Sequence, residues 1–153
     1  MTAQLSLSDL LPHRPPMLLV DKLIKVEADR SETEIVISSH SSFFVEDLGV
    51  PAWIGIEYMG QTAATIAGYQ LQAGNLEPHI GLLLGTRKYN CKKEWFSPGS
   101  TLQVRCQELN AMGGNVATFQ CEIVEVNRES NGEETIAQAN LTVYRTTMTE
   151  QDR

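Results

Sequence analysis

Two hydrophobic regimes divide this chain. From Ala52 to Ala73 apolar, small and neutral polar residues run on without an internal proline, and Glu57 is the only charged side chain between Leu48 and Leu76. Elsewhere apolar and polar positions alternate over short stretches. The long run starts just after Pro51 and stops at Gly74, which are helix start and stop signals. The spacing predicts a helix over 52–73, about 33 Å long at 1.5 Å per residue. Apolar nearly all round, it reads as a buried central helix. Its small residues Gly60, Ala63, Ala64, Ala67 and Gly68 recur at i, i+3 and i, i+4 and would let a sheet approach closely. A membrane span is the weaker reading, because Glu57, Gln61, Gln70 and Gln72 are too polar for the bilayer core.

The alternating stretches predict strands. Met17–Val26 is the first, Thr33–Ser38 the second and Ile80–Asn90 the third, with the continuous apolar run GLLLG in its first part. Thr101–Asn110, Val116–Val126 and Thr135–Arg145 follow as a meander, with Gly113-Gly114 and Asn131-Gly132 as hairpin signals. A two-residue loop at Gly113-Gly114 would set Cys106 opposite Cys121 and Val104 opposite Ile123, with Leu102 and Phe119 on the same face. Ser97-Pro98-Gly99 has the order of a type II turn. Ser6 or Ser8 would cap a short helix through Leu11, and residues 146–153 read as a frayed tail. One long helix followed by antiparallel strands is an α+β architecture, with the sheet wrapped around the helix in a single domain over 1–153.

Charge and cysteine usage narrow the chemistry. A net charge of −7 argues against nucleic acid as a partner. The N-terminus lacks a charged region followed by an apolar core, so a cytoplasmic protein is expected. Cys91, Cys106 and Cys121 show no CxxC or Cys/His ligand spacing, so they read as reduced thiols.

Glu57 and Gln61 are one turn apart and share a helix face, which Thr65 continues. Two readings of Glu57 stand. It is either a carboxylate placed at a helix N-terminus by the macrodipole, or an acid at the edge of an apolar groove, with a raised pKa and oriented by Gln61. Arg87, Lys88, Lys92 and Lys93 form the densest basic cluster of an acidic chain, either a solvated face or a docking patch.

Three stretches resemble one family. LLPHRPPMLLVDKLIKVE at 10–27, VPAWIGIEYMGQ at 50–61 and GLLLGTRKYNCKKEWFSPGSTLQV at 81–104 are similar, in order and spacing, to bacterial 3-hydroxyacyl-[acyl-carrier-protein] dehydratases. PAWIGIEYMGQ is most similar to the divergent branch associated with aryl-polyene gene clusters. The resemblance covers about residues 8–146 and implies a hot-dog fold, with two protomers paired edge to edge and two active sites at their interface. It places Glu57 at the acid position and Pro51 at the family proline. Ala52 stands where a glycine usually supplies the N–H that polarises the thioester carbonyl.

The histidine departs from the pattern. The family places it 14 residues before the acid, where this chain has Phe43, whereas His40 lies 17 before. Either the loop holds three extra residues and His40 is the base, or Phe43-Phe44 aligns with a phenylalanine pair common just before the family histidine and the histidine is lost. His13 matches the family's opening motif as a structural hydrogen-bonder, and His79 has no motif support.

The implied reaction is dehydration of 3-hydroxyacyl thioesters on acyl carrier protein or coenzyme A, without metal or redox cofactor. Trp53, Ile54, Tyr58, Phe43 and Phe44 are the candidates to line the acyl tunnel, and the basic cluster to dock the carrier. A homodimer is expected because edge-to-edge pairing satisfies an open sheet edge; a heterodimer with a paralogous dehydratase is the variant. Two other functions compete: a hot-dog thioesterase using Glu57 alone, and a non-catalytic acyl-binding subunit that pairs with an active partner.

Overall fold

The computed structural model describes residues 6–12, 14–74, 79–109, 116–127 and 129–147, with side chains placed at all of these except 79–84, 87 and 145–147. His13, the Gly113-Gly114 turn and the tail beyond 147 therefore lie outside the described residues, as do the side chains of GLLLG, Arg87 and His79.

A short helix α1 (Leu7–Leu10) opens the chain, capped by Ser6 and Asp9 in a reciprocal capping box. Strands β1 (Lys22–Val26) and β2 (Arg30–Val36) form a hairpin. After a loop comes β3 (Val50–Pro51), a 3₁₀ turn (Ala52–Ile54) and the central helix α2 (Gly55–Gln72). Then follow β4 (His79–Cys91), β5 (Trp95–Phe96), β6 (Thr101–Glu108), β7 (Val116–Asn127) and β8 (Gly132–Thr147). Six strands make one antiparallel sheet in the order β1-β2-β6-β7-β8-β4, while β3 and β5 pair separately. The sheet lays its apolar face on α2, through Ile35, Leu102, Val104, Phe119, Ile123 and Leu141 with Tyr58, Met59 and Ile66 of the helix. This is the α+β hot-dog arrangement expected of the sequence.

The meander register matches expectation. Cys106 faces Cys121 and Val104 faces Ile123. Both cysteines are buried free thiols, and desolvation pushes the Cys106 thiol well above its ordinary pKa. The Ser97–Ser100 turn closes with a 3.1 Å bond from Ser100 N–H to Ser97 C=O, and Gly99 takes φ +83°, as a type II turn requires.

Four expectations need correction. The first strand starts at Lys22, not Met17, because the Gln61 side chain takes the Leu19 N–H (2.9 Å) and the Met17 C=O (2.8 Å), so this segment bonds to the helix instead of a ladder. The second runs from Arg30 to Val36, since a tight hairpin closed by Glu27 N–H and Arg30 C=O (2.8 Å) pulls it toward β1. The last strand begins at Gly132, because Asn131 adopts φ 52° and turns the chain before it. The small residues of α2 do not all face the sheet. A Cβ on Gly68 would lie 2.2 Å from the Leu10 carbonyl oxygen of α1, whereas one on Gly60 would meet nothing within 4 Å.

Two hydroxyl pairs fix α2 on β2. Thr62 and Thr65 donate back to the helix carbonyls of Tyr58 (2.8 Å) and Thr62 (2.6 Å), so the Thr33 and Ser31 hydroxyls must donate to them. All four residues are buried, and each hydroxyl proton has an acceptor. Gly68→Ala is expected to lift α1 from α2 and to lower stability by about 1–3 kcal/mol, because the clash is with backbone. Urea unfolding against wild type measures it.

Candidate active site at the start of the central helix

Pro51 and the 3₁₀ turn deliver the chain into α2, so that Glu57 falls in the first turn. Its carboxylate is exposed in the single chain. Gln61, 1% exposed, is the organising group. Its Oε1 accepts the Leu19 N–H, and its Nε2 donates to the Met17 carbonyl and to Glu57 Oε1 (3.2 Å). Reversing the amide would set its N–H₂ against an N–H donor, so only this orientation satisfies all three partners. One carboxylate oxygen is thereby held, and among the described residues no hydrogen bond engages the other.

Ala52 is tied from both sides. Its N–H donates to the Glu94 carbonyl (3.0 Å), and its carbonyl accepts the Tyr89 hydroxyl (2.5 Å) as well as the N–H of Gly55. The N–H to which the resemblance gives the thioester carbonyl is therefore engaged by β5's neighbour in this structure.

Tyr89 escaped the sequence reading for a physical reason. Thr86 pairs with Leu141 and Cys91 with Ala137, both of whose side chains face the core, yet five positions separate Thr86 from Cys91. Strict alternation cannot place residues an odd number apart on one face. The ladder shifts between Arg87 and Asn90, where Lys88 takes φ 55°, and this bulge leaves Lys88 exposed while Tyr89 packs on the core. Only the positive-φ lysine marks it, and that cannot be read from alternation.

The candidate tunnel residues divide between the surface and the core. Phe43 and Trp53 meet with ring centroids 6.2 Å apart and are 56% and 64% exposed. Phe43 sits at φ 69°, a conformation that costs a bulky residue about 1 kcal/mol or more and persists where the surroundings impose it. Phe44 is half-buried against the core. Tyr58 and Ile54 are buried, Tyr58 stacked on Phe96 at 5.9 Å, so their side chains fill the interior. His40 is exposed, and the bond it makes runs from its backbone N–H to Ser38 Oγ (3.2 Å). Among the described residues no hydrogen bond or ion pair joins His40 to Glu57 within one chain.

Lys88, Lys92 and Lys93 are exposed, and Lys92 Nζ lies 3.5 Å from Glu134. Two grooves of about 520 and 740 Å³ cut the sheet surface, one lined by Arg105, Gln120 and Gln138, the other by Pro98, Glu125 and Glu133. Neither reaches Glu57. Among the described residues no group of three or more His, Cys, Asp or Glu is placed to hold a metal, and no helix is long and apolar enough to cross a membrane.

The family described as ApeP-like, ApeP dehydratase, matches residues 5–152. The chain belongs to the ApeP-like dehydratase family. It is also 32% identical over 117 residues to the 3-hydroxyacyl-[acyl-carrier-protein] dehydratase FabZ of Roseobacter denitrificans, covering 72% of this chain and 75% of that one. Among solved structures, the dehydratase heterocomplex ApeI:P from Xenorhabdus doucetiae shares the fold with a TM-score of 0.81 at 23% identity, over 98% of this chain and 95% of that one. A thioesterase family protein from Silicibacter pomeroyi shares it at 0.69 and 14%, over 93% and 96% of the two chains. These likenesses show the hot-dog fold; the ApeP-like match and the FabZ relative give the dehydratase family.

Gln61→Ala would take from the part-buried Leu19 N–H and the Met17 carbonyl the one side chain that binds both. A loss of about 1–3 kcal/mol is expected by chemical denaturation, at about 0.5–1.5 kcal/mol for each hydrogen bond removed.

Proposed function

We propose that this chain dehydrates 3-hydroxyacyl thioesters to 2-enoyl thioesters, with Glu57 as the acid that protonates the departing hydroxyl. The observation that carries this reading is the Glu57–Gln61 pair. With Oε1 held by the Gln61 amide, Oε2 is the oxygen left to carry the proton that a substrate hydroxyl takes. Elimination also needs a base for the proton α to the thioester, and a neutral imidazole near pH 7 suits that task. The C–H electrons become the new C–C double bond as the C–O bond breaks, and the hydroxide leaves as water with the Glu57 proton.

His40 is the base this chain itself offers. An active site assembled between two protomers needs no bond between His40 and Glu57 within one chain, and the exposure of Glu57, Trp53 and Phe43 leaves room for a partner to cover them. A second reading gives the base to a different partner subunit. It is favoured by Phe43, which stands at the family's histidine spacing and packs on Trp53, and by the heterocomplex formed by the Xenorhabdus relative. Aryl-polyene biosynthesis is the setting this would imply. The thioesterase alternative predicts free thiol release instead of an enoyl product.

Each catalytic group is expected to contribute about a hundredfold or more. Glu57→Gln keeps the shape and the Gln61 contact but removes the transferable proton, so turnover of a 3-hydroxyacyl thioester should fall by at least about that factor with folding intact. His40→Ala should do likewise if His40 is the base. Loss on Glu57→Gln with none on His40→Ala puts the base elsewhere and favours the thioesterase or a base from a partner subunit, which free thiol release tells apart. A wild-type chain that is inert alone and active with a paralogous dehydratase supports the heteromeric reading. Thiol release without an enoyl product would overturn the dehydratase.

The lysines Lys88, Lys92 and Lys93, with Arg87, suit docking of an acidic acyl carrier protein, an attraction that the net charge would otherwise oppose. Reversing Lys92 and Lys93 to Glu should raise KM for carrier-bound substrate while leaving coenzyme A thioesters unaffected. Equal loss on both would place the damage in the fold.

A further inference from the structure

The start of α2 is held by a residue that lies outside the acid–base pair. A Cβ on Gly55 would fall 2.3 Å from the Tyr89 hydroxyl, 2.8 Å from Ile123 Cδ1 and 3.1 Å from Phe96 Cζ. The hydroxyl thus occupies the space that glycine leaves, and from there it donates to the Ala52 carbonyl. Burial, with Cys91 beside it, pushes the Tyr89 pKa well above its ordinary value, so the phenol stays a neutral donor at any working pH. A phenylalanine ring would fill the same apolar space without gripping the carbonyl. Gly55 begins the helix and Glu57 follows two residues later, so the angle at which the 3₁₀ turn passes into α2 sets where the carboxylate points.

We infer that Tyr89 is a positioning residue for Glu57: its hydroxyl, placed by the Lys88 bulge, pins the Ala52 carbonyl and fixes the first turn of α2. The inference rests on the reading of Glu57 as the acid of a dehydratase. It also ties the site to the basic segment, because Tyr89 lies between Lys88 and Lys92, and Glu94, which takes the Ala52 N–H, directly follows Lys93.

The test uses Tyr89→Phe in the full chain, assembled with its partner subunit if turnover requires one. A misplaced acid lowers the chemical step more than binding, so kcat should fall about tenfold while KM for a 3-hydroxyacyl thioester stays within about twofold. A readout independent of turnover runs alongside: amide hydrogen exchange at Ile56, Glu57 and Tyr58 should speed up while the β6–β7 amides keep their protection. Gly55→Ala should displace the hydroxyl and reproduce both effects. Unchanged kcat and unchanged first-turn exchange in Tyr89→Phe overturn the inference, as does loss of protection spread evenly over the chain, which would mark a merely structural role. Loss in Gly55→Ala alone overturns it too, since packing at Gly55 would then be the cause. Should the wild-type chain turn over no thioester in any assembly, the dehydratase reading fails, and the exchange pattern still decides whether Tyr89 sets the helix start.

Discussion

A buried amide cannot be left half-bonded, and the site depends on how the Gln61 side chain meets that constraint. Its oxygen takes one backbone N–H from the segment before β1, and its two N–H groups go to a backbone carbonyl of that segment and to Glu57. Losing any of these partners would strand a polar group in the interior at about 1–3 kcal/mol. The chain from Met17 to Leu19 is therefore bound to the helix, β1 starts late, and the carboxylate has a fixed neighbour. Glu57 is exposed, yet one of its oxygens has a buried partner.

The helix itself is located by polar contacts at three levels. Tyr89 and Glu94 grip Ala52 at its start. Below them the Thr33–Thr62 and Ser31–Thr65 hydroxyl pairs set its depth on the sheet, since a slide along the axis would break both at once. Toward the end Gln72 Nε2 donates to the Asp9 carbonyl (2.6 Å) while Gly68 receives α1. Apolar burial supplies most of the driving force but is non-directional, and these hydrogen bonds select one placement. A catalytic acid needs such a placement, because an error of about 1 Å can cost a hundredfold in rate.

Much of this was legible in the residues. The isolated Glu57, the Pro51 and Gly74 boundaries and the one-turn spacing to Gln61 come straight from helical periodicity. The Cys106–Cys121 register follows from hairpin arithmetic. What stayed hidden lies in two features that no local pattern encodes: side-chain bonds to distant backbone, and residues at positive φ that bulge or turn the chain. Gln61 reaches back over 40 residues to shorten the first strand, and the Lys88 bulge turns Tyr89 inward against the alternation rule. The family resemblance named the acid's position but left the base open, because Phe43 stands at the expected spacing and His40 lies three residues earlier. Tyr58 and Ile54, candidates for the tunnel, have their side chains buried in the core, Tyr58 stacked on Phe96.

In the proposed reaction, Glu57 of this chain donates the proton that releases the hydroxyl. A crystal structure of the assembled enzyme with a non-eliminating 3-hydroxyacyl thioester analogue tests it most directly. The expected result is the analogue's hydroxyl within hydrogen-bond reach of Glu57 Oε2, Oε1 still held by Gln61, and an imidazole on the other side of the α carbon. A hydroxyl bound away from Glu57, with a water held between that carboxylate and the thioester carbonyl, would contradict it.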